Sequence, residues 1–393
     1  MICESNYNRS LVSDGFVASL PVAQQGIMIT VFTPSFANDD NTNAQNLTVK
    51  EVVTRMDPAR FRVVMLGSSA PDPRIASRPN TQILPWKKRA NTPAIVWHLI
   101  THIPDVYFFP REGPLDRAFL SLLHHLNLKT ALVTYVVSGG LERDHRPHLC
   151  RAIREGDITA GNSRFMAEMT QKLGGRNVQT IYDGIDQRYY YADSRQADAA
   201  GPPCDNRGVR LNDRVLFAGS FRGYKRADLM IREAVKYPQW EFRLAGTGEE
   251  EKACRRQAEE AKCANVRFLG HLNAAQLGEE MRQAQILFHP SELEGHPQVL
   301  GQAAACGVPC IARNSYRPDY VADGVTGRLA GSDEELSAAL ATLIHDPDLR
   351  RRMSAAAIEH AAQFNWDDVA GQWSEVFETA VRERQNHRRQ RIS

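Results

Sequence analysis

The order of secondary-structure signals constrains this chain most. Short apolar runs alternate with amphipathic stretches in two successive series, separated by one break. The run at 27–33, I-M-I-T-V-F-T, is rich in β-branched residues and stops before Pro34. An apolar run of that length bounded by a breaker reads as a buried strand. Residues 62–67, 105–109, 130–136, 158–161 and 178–181 repeat the signal, and helical spacing falls between them at 48–56, 115–126, 146–155 and 163–173. Such alternation builds a parallel sheet with helices on both faces.

The break lies at 192–208, A-D-S-R-Q-A-D-A-A-G-P-P-C-D-N-R-G, which is small, polar and interrupted by Gly201, Pro202 and Pro203, as a linker is. The alternation then restarts. Strands are expected at 215–218, 241–245, 266–269, 286–289 and 309–312, and helices at 226–236, 249–261, 274–283, 298–306 and 334–345. A last amphipathic segment, 366–381, carries Trp366, Val369, Trp373, Val376, Phe377 and Val381 at helical spacing. A chain of 393 residues is long enough for two domains. The expected division is 27–192, 211–365 and a helix 366–384 that packs back on the first domain. Residues 1–26 lack this periodicity and are read as lying outside the fold, with Met28 opening the first strand.

Composition removes several classes. The net charge of +2 lacks the basic excess of a dedicated nucleic-acid binder. The seven cysteines, Cys3, Cys150, Cys204, Cys254, Cys263, Cys306 and Cys310, are odd in number, scattered and without a C-x-x-C pair. That is the pattern of reduced thiols in a cytoplasm rather than of disulfides or zinc. No apolar run approaches the roughly 18 residues that cross a bilayer, and 16–23 lacks the basic flank of a signal peptide. His98 and His102 stand four apart without a third ligand, and Asp39–Asp40 read as a solvated turn, so no metal site is expected. The tail 382–393, R-E-R-Q-N-H-R-R-Q-R-I-S, is basic. It reads as a disordered, solvated tail, with peripheral contact to anionic lipid as its functional alternative.

In open parallel sheets ligands sit beyond the carboxyl ends of the strands, so the loops there carry the chemistry. Residues 291–312 read S-E-L-E-G-H-P-Q-V-L-G-Q-A-A-A-C-G-V-P-C-I-A: an acidic, Gly-containing loop, then a helix of small residues starting near Pro297 or Gln298. Free N–H groups at such a helix start attract an anion. Residues 218–231, A-G-S-F-R-G-Y-K-R-A-D-L-M-I, place Lys225 and Arg222 between a strand and a helix, where a basic side chain meets a diphosphate. Residues 244–249, L-A-G-T-G-E, form a Gly-rich turn after a strand, and Gly270 with His271 ends the next.

These stretches resemble the signature of family 4 glycosyltransferases, retaining enzymes of the GT-B fold. Its pattern, E-G-F-P-N-V-L-L-E-A-M-A-C-G-x-P-V-I, is matched without a gap by Glu294, Gly295, Pro297, Val299, Leu300, Ala303, Ala305, Cys306, Gly307, Pro309 and Ile311. The resemblance implies two Rossmann-like domains facing a cleft. It also implies a nucleoside-diphosphate sugar as donor substrate and no cofactor. Glu294 would contact the sugar, and Lys225 with Arg222 the diphosphate. Gly219, Ser220, Gly246, Thr247, Gly270, His271, Gly295, His296, Val299, Leu300 and Gln302 would line the donor site. A carbohydrate or lipid-linked acceptor would lie against the first domain.

Four positions depart from the pattern. Gln302 replaces the second Glu, which holds the ribose in the family. Ser220 replaces an Arg. Val136 stands where many relatives carry a sugar-contacting His, and Asp183 replaces the Asn of the I-P-N-G-V-D hinge. The first three keep a second reading open: a catalytically weakened GT-B subunit that binds a nucleotide or a partner glycosyltransferase. A GT-B sugar-nucleotide epimerase is a third, which the G-H-P-Q-V-L match disfavours.

Overall fold

The computed structural model describes residues 28–38, 44–110, 113–126, 128–137, 147–190 and 213–392. The segment 1–26, the Asp39–Asp40 turn and the linker 192–208 lie outside the described residues. Two parallel sheets form. The first contains β1 (Ile29–Phe36), β2 (Phe61–Gly67), β3 (Thr81–Pro85), β4 (Val106–Phe108), β5 (Ala131–Val136), β6 (Ile158–Gly161) and β7 (Val178–Thr180), in the order β3-β2-β1-β4-β5-β6-β7. The second contains β8 (Arg214–Ala218), β9 (Glu241–Ala245), β10 (Val266–Gly270), β11 (Ile286–His289), β12 (Cys310–Arg313) and β13 (Gly327–Ala330), in the order β10-β9-β8-β11-β12-β13.

Each sheet is covered on both faces, which is why its central strands are continuous apolar runs. In the first, Val31, Val63, Val133 and Ile158 face one core, while Phe32, Val64, Tyr107 and Leu132 face the other. In the second, Val215, Phe217 and Phe242 face one side, and Leu216, Leu287 and Cys310 the opposite one. The expected doubly wound α/β class is therefore observed, and so are the expected central strands to within a residue or two.

Three local expectations are corrected. β1 runs through Pro34 rather than ending before it, because its register to β2 shifts between Phe32 and Phe36. In such an irregular stretch the missing proline N–H breaks no regular ladder bond. The edge strands β3 and β13 and the helices Thr92–Thr101 and Pro347–Ala361 were not anticipated. The last helix, Trp366–Ile392, continues through the basic segment expected to be disordered.

That last helix returns to the first sheet. Trp366, Val369, Trp373, Val376, Phe377 and Ala380 join the core under β1, β2, β4 and β5, with Trp373 wholly buried. Burying each large apolar side chain contributes about 1.5–3 kcal/mol. The chain thus crosses between the sheets twice, and the two crossings touch. Ile185 pairs with Asn365 as an isolated parallel bridge, and the Ile185 N–H donates to the Phe364 carbonyl at 2.7 Å. Gly184 has no side chain because a Cβ there would lie 2.5 Å from the Trp366 ring. No helix among the described residues is long and apolar enough to cross a membrane.

Candidate active site

The second sheet reverses its winding between β8 and β11, which pair in parallel through Ile286–Val215 and Leu287–Leu216. Loops leaving the carboxyl ends at such a reversal diverge and leave a crevice. The loop after β8 carries Lys225 on the short 3-10 turn Gly223–Lys225, and the loop after β11 carries Glu294. Segments 69 residues apart thereby meet: the Lys225 ammonium donates to Glu294 Oε1 in a tight ion pair, with side chains only 14% and 13% exposed. His289, the last residue of β11, sits beneath them, and its Nε2 lies 3.3 Å from the same Oε1. Burial alone would raise the Glu294 carboxyl. The His289 ring and the Lys225 ammonium outweigh it and hold the carboxyl down at about 2. His289 itself is pushed down by burial and is neutral at pH 7.

Three glycine turns close the floor beside this pair. The Gly219 N–H donates to the Ala245 carbonyl at 3.0 Å, and the Gly246 N–H to the Gly270 carbonyl at 2.7 Å. Gly246 has φ +131°, and a Cβ on it would lie 1.9 Å from the Gly219 carbonyl oxygen. Only glycine allows the ends of β8, β9 and β10 to approach this closely. Ser220 and Gly270 are half-buried along this rim, while Thr247 and His271 are exposed.

The acidic loop is anchored from behind. The Glu292 N–H donates to the Tyr224 carbonyl at 2.8 Å. Arg226, in the left-handed region at φ 54°, bridges Glu292 at 2.9 Å, Asp333 at 3.0 Å and Asp228 at 3.1 Å. Arg313 pairs with Asp333 and donates through Nε to the Pro290 carbonyl at 3.0 Å. The helix Gln298–Ala305 then starts with no side-chain cap at Pro297, leaving its first N–H groups to other partners.

The first sheet reaches the same loop. Ser163 donates its hydroxyl to the Gly295 carbonyl at 3.1 Å, and Arg164 pairs with Asp319. The Tyr320 hydroxyl donates to the Asp183 carbonyl at 2.8 Å. Asp183 is buried and accepts from Thr48 at 2.9 Å, Tyr135 at 3.0 Å and Asn162 at 3.0 Å. Burial raises its carboxyl, and the three donors offset that only in part.

The remaining sequence-derived positions spread more widely. Arg222 is exposed at the start of the 3-10 turn, and its carbonyl accepts from the Lys225 N–H at 2.9 Å. His296 is buried, stacks on Tyr320 with ring centroids 3.7 Å apart, and is pushed down to about 3 by burial. Leu300 is core, and Val299 packs against the same core. Gln302 is half-buried in the second turn of its helix. Val136 packs against Ile153 and Met166. His289, Ser163, Arg226 and Arg313 escaped the sequence reading as site residues. Only His289 carried a local signal, a titratable residue ending an apolar strand directly before the acidic loop.

A basic turn, an acidic loop and an uncapped helix start thus meet around one switch point of a two-sheet protein. Residues 211–360 match the model of the glycosyl transferases, group 1. A D-inositol 3-phosphate glycosyltransferase of Kribbella flavida is 32% identical over 296 residues, covering 68% of this chain and 67% of that protein. One from Mycolicibacterium paratuberculosis is 32% identical over 224 residues, covering 54% and 49%. The chain belongs to the group 1 glycosyl transferases. It spans about half to two thirds of the length of the curated relatives it matches. Among solved structures, Anabaena HepE in complex with UDP superposes with a TM-score of 0.71 at 17% identity, covering 90% of this chain and all of that one (100%). Sucrose-phosphate synthase from Thermosynechococcus elongatus gives 0.70 at 18%, covering 90% and 99%. The fold they share with this chain is GT-B.

Proposed function

We propose that this protein is a retaining, metal-independent hexosyltransferase of family 4. In this reading it moves a sugar from a nucleoside-diphosphate sugar to a glycan, a lipid-linked or a small-molecule acceptor. The observation that carries the proposal is the Lys225–Glu294 pair at the switch point of the second sheet. It brings a positive charge and a carboxylate together at the mouth of the crevice where a sugar diphosphate would bind.

The half 211–365 holds the donor and the half 27–192 faces the acceptor, with helix 366–384 closing the first domain. As the bond from C1 to the diphosphate oxygen breaks, its electron pair stays on the diphosphate. The Lys225 ammonium and the N–H groups opening Gln298–Ala305 stabilise that charge, which supplies the largest catalytic contribution. Glu294 orients the sugar hydroxyls while C1 becomes oxocarbenium-like. The acceptor oxygen bonds C1, and its proton leaves with the nucleoside diphosphate. The turns at Gly219, Gly246 and Gly270 let the backbone approach the nucleotide. The assigned place of work is the cytoplasm, with a weak peripheral contact of the basic tail at the inner membrane face.

HepE binds UDP and UDP-glucose, which makes uridine donors the first to test. Incubation with a panel of nucleotide sugars should release nucleoside diphosphate from one of them, and Glu294→Gln should slow this about 100–1,000-fold. Nucleotide binding without release from any donor would replace this reading with the non-catalytic subunit.

A further inference from the structure

We propose that His289 is a positioning residue that catches Glu294 when the donor takes Lys225 away. The inference rests on the donor-site reading above and adds a residue to it. The Lys225 ammonium and His289 Nε2 converge on one oxygen of the Glu294 carboxylate, Oε1. The ammonium holds that oxygen tightly. The imidazole stands 3.3 Å away, and neither of its ring nitrogens has an aligned hydrogen-bond partner, although His289 is only 1% exposed. A buried polar group left in this state is costly, so it needs a partner in some state of the protein.

A diphosphate supplies the occasion. When Lys225 turns to a phosphate oxygen, Glu294 keeps its burial but loses its ion-pair partner. A buried carboxylate without a donor protonates or swings out. The donor then at hand from β11 is the His289 ring, whose Nε2 stands 3.3 Å from Oε1 and needs only a small rotation to bond it. The charged and titratable groups facing Glu294 are Lys225 from the 3-10 turn, His289 from β11 and Tyr316 from the loop after β12. His289 is bound into the sheet by the pairing of β11 with β8 and β12. It therefore offers a fixed point, whereas the long Lys225 side chain must move. The handover keeps Glu294 ionised and aimed at the sugar while Lys225 is engaged elsewhere.

Three measurements test this. In turnover, His289→Phe should lower kcat about 10–100-fold with the affinity for UDP unchanged. It should also move the acidic limb of the kcat profile upward, and His289→Gln, which restores an N–H donor, should reverse both effects. Independent of turnover and of nucleotide, the 13C signal of the Glu294 carboxyl can be titrated in a Lys225→Ala protein, which mimics the engaged state. Adding His289→Phe should raise its midpoint and adding His289→Gln should not. In the wild type, the His289 Nε2–H proton should shift downfield on addition of UDP. Identical Glu294 titrations in Lys225→Ala with and without His289→Phe would overturn the proposal. Should that double variant not fold, an Nε2–H signal unmoved by UDP that demonstrably binds would do so. Failure of UDP to bind at all would count against the donor-site reading, and the Lys225→Ala titrations would still judge His289.

Discussion

Ser163, at the start of a helix on the first sheet, donates its hydroxyl to the backbone carbonyl of Gly295, on the second sheet, at 3.1 Å. Gly295 directly follows Glu294, so one half of the molecule holds the backbone that aims the proposed sugar-orienting carboxylate of the other. Ser163→Ala should therefore reduce turnover by about 2–10-fold, the equivalent of one net hydrogen bond, while UDP affinity stays the same. Ser163 also caps the helix at the Met166 N–H, and Ser163→Thr should keep both bonds and full activity. Steady-state kinetics beside calorimetric titration separates the two effects.

Lys225 sits where a diphosphate would displace its present partner, Glu294. A hydrogen bond to a charged group contributes about 1.5–3 kcal/mol, so Lys225→Ala should weaken UDP binding about 10–150-fold and leave uridine binding nearly unaltered. Equal losses for the two ligands, measured by calorimetry, would remove Lys225 from the phosphate site.

Gln302→Glu should tighten UDP binding about threefold or more through charge-assisted bonds to ribose hydroxyls. Gln302 lies in the second turn of Gln298–Ala305 and is half-buried. Weaker binding would mean that a new carboxylate is desolvated there without a partner.

Asp183 carries a pH signature. Its folded carboxyl is raised by burial above the ordinary value of 3.8. The stability of the protonated form is fully present below 3.8 and is lost as pH rises through the folded value. Asp183→Asn stays neutral throughout. Its amide has a waiting acceptor, because Asn162 Oδ1 is buried without a partner and a flip of the Asn162 amide presents it. The variant should melt above wild type at pH 8, and the gap should close towards pH 4. A gap that widens on acidification would reverse the assignment.

The central strands were legible because burial on both sheet faces writes a continuous apolar run, as at 215–218 and 286–288. β13, G-R-L-A, lies at a sheet edge with Arg328 exposed, so it has no such run to show. The meeting of Lys225 and Glu294 followed from two motifs that each end a strand of the same sheet. Ser163 and Arg313 were not legible, because their roles depend on which carbonyl the fold brings within reach, Gly295 or Pro290. Sequence marks a donor without naming its distant acceptor. Val136 shows the converse. Its position in the family pattern is that of a ligand contact, yet its side chain packs in a core against Ile153 and Met166.

The return of the last helix sets an order of events during synthesis. β1, β2, β4 and β5 leave the ribosome first, but the Trp366, Trp373 and Phe377 side chains that cover one face of that sheet are made only after the whole second sheet. At roughly 5–20 residues per second, the stretch from 190 to 366 takes about 10–35 s to emerge. Through that interval the second half can complete its own two-faced sheet, while the nascent first half presents an uncovered apolar face to chaperones. The half of the molecule made first is the half finished last.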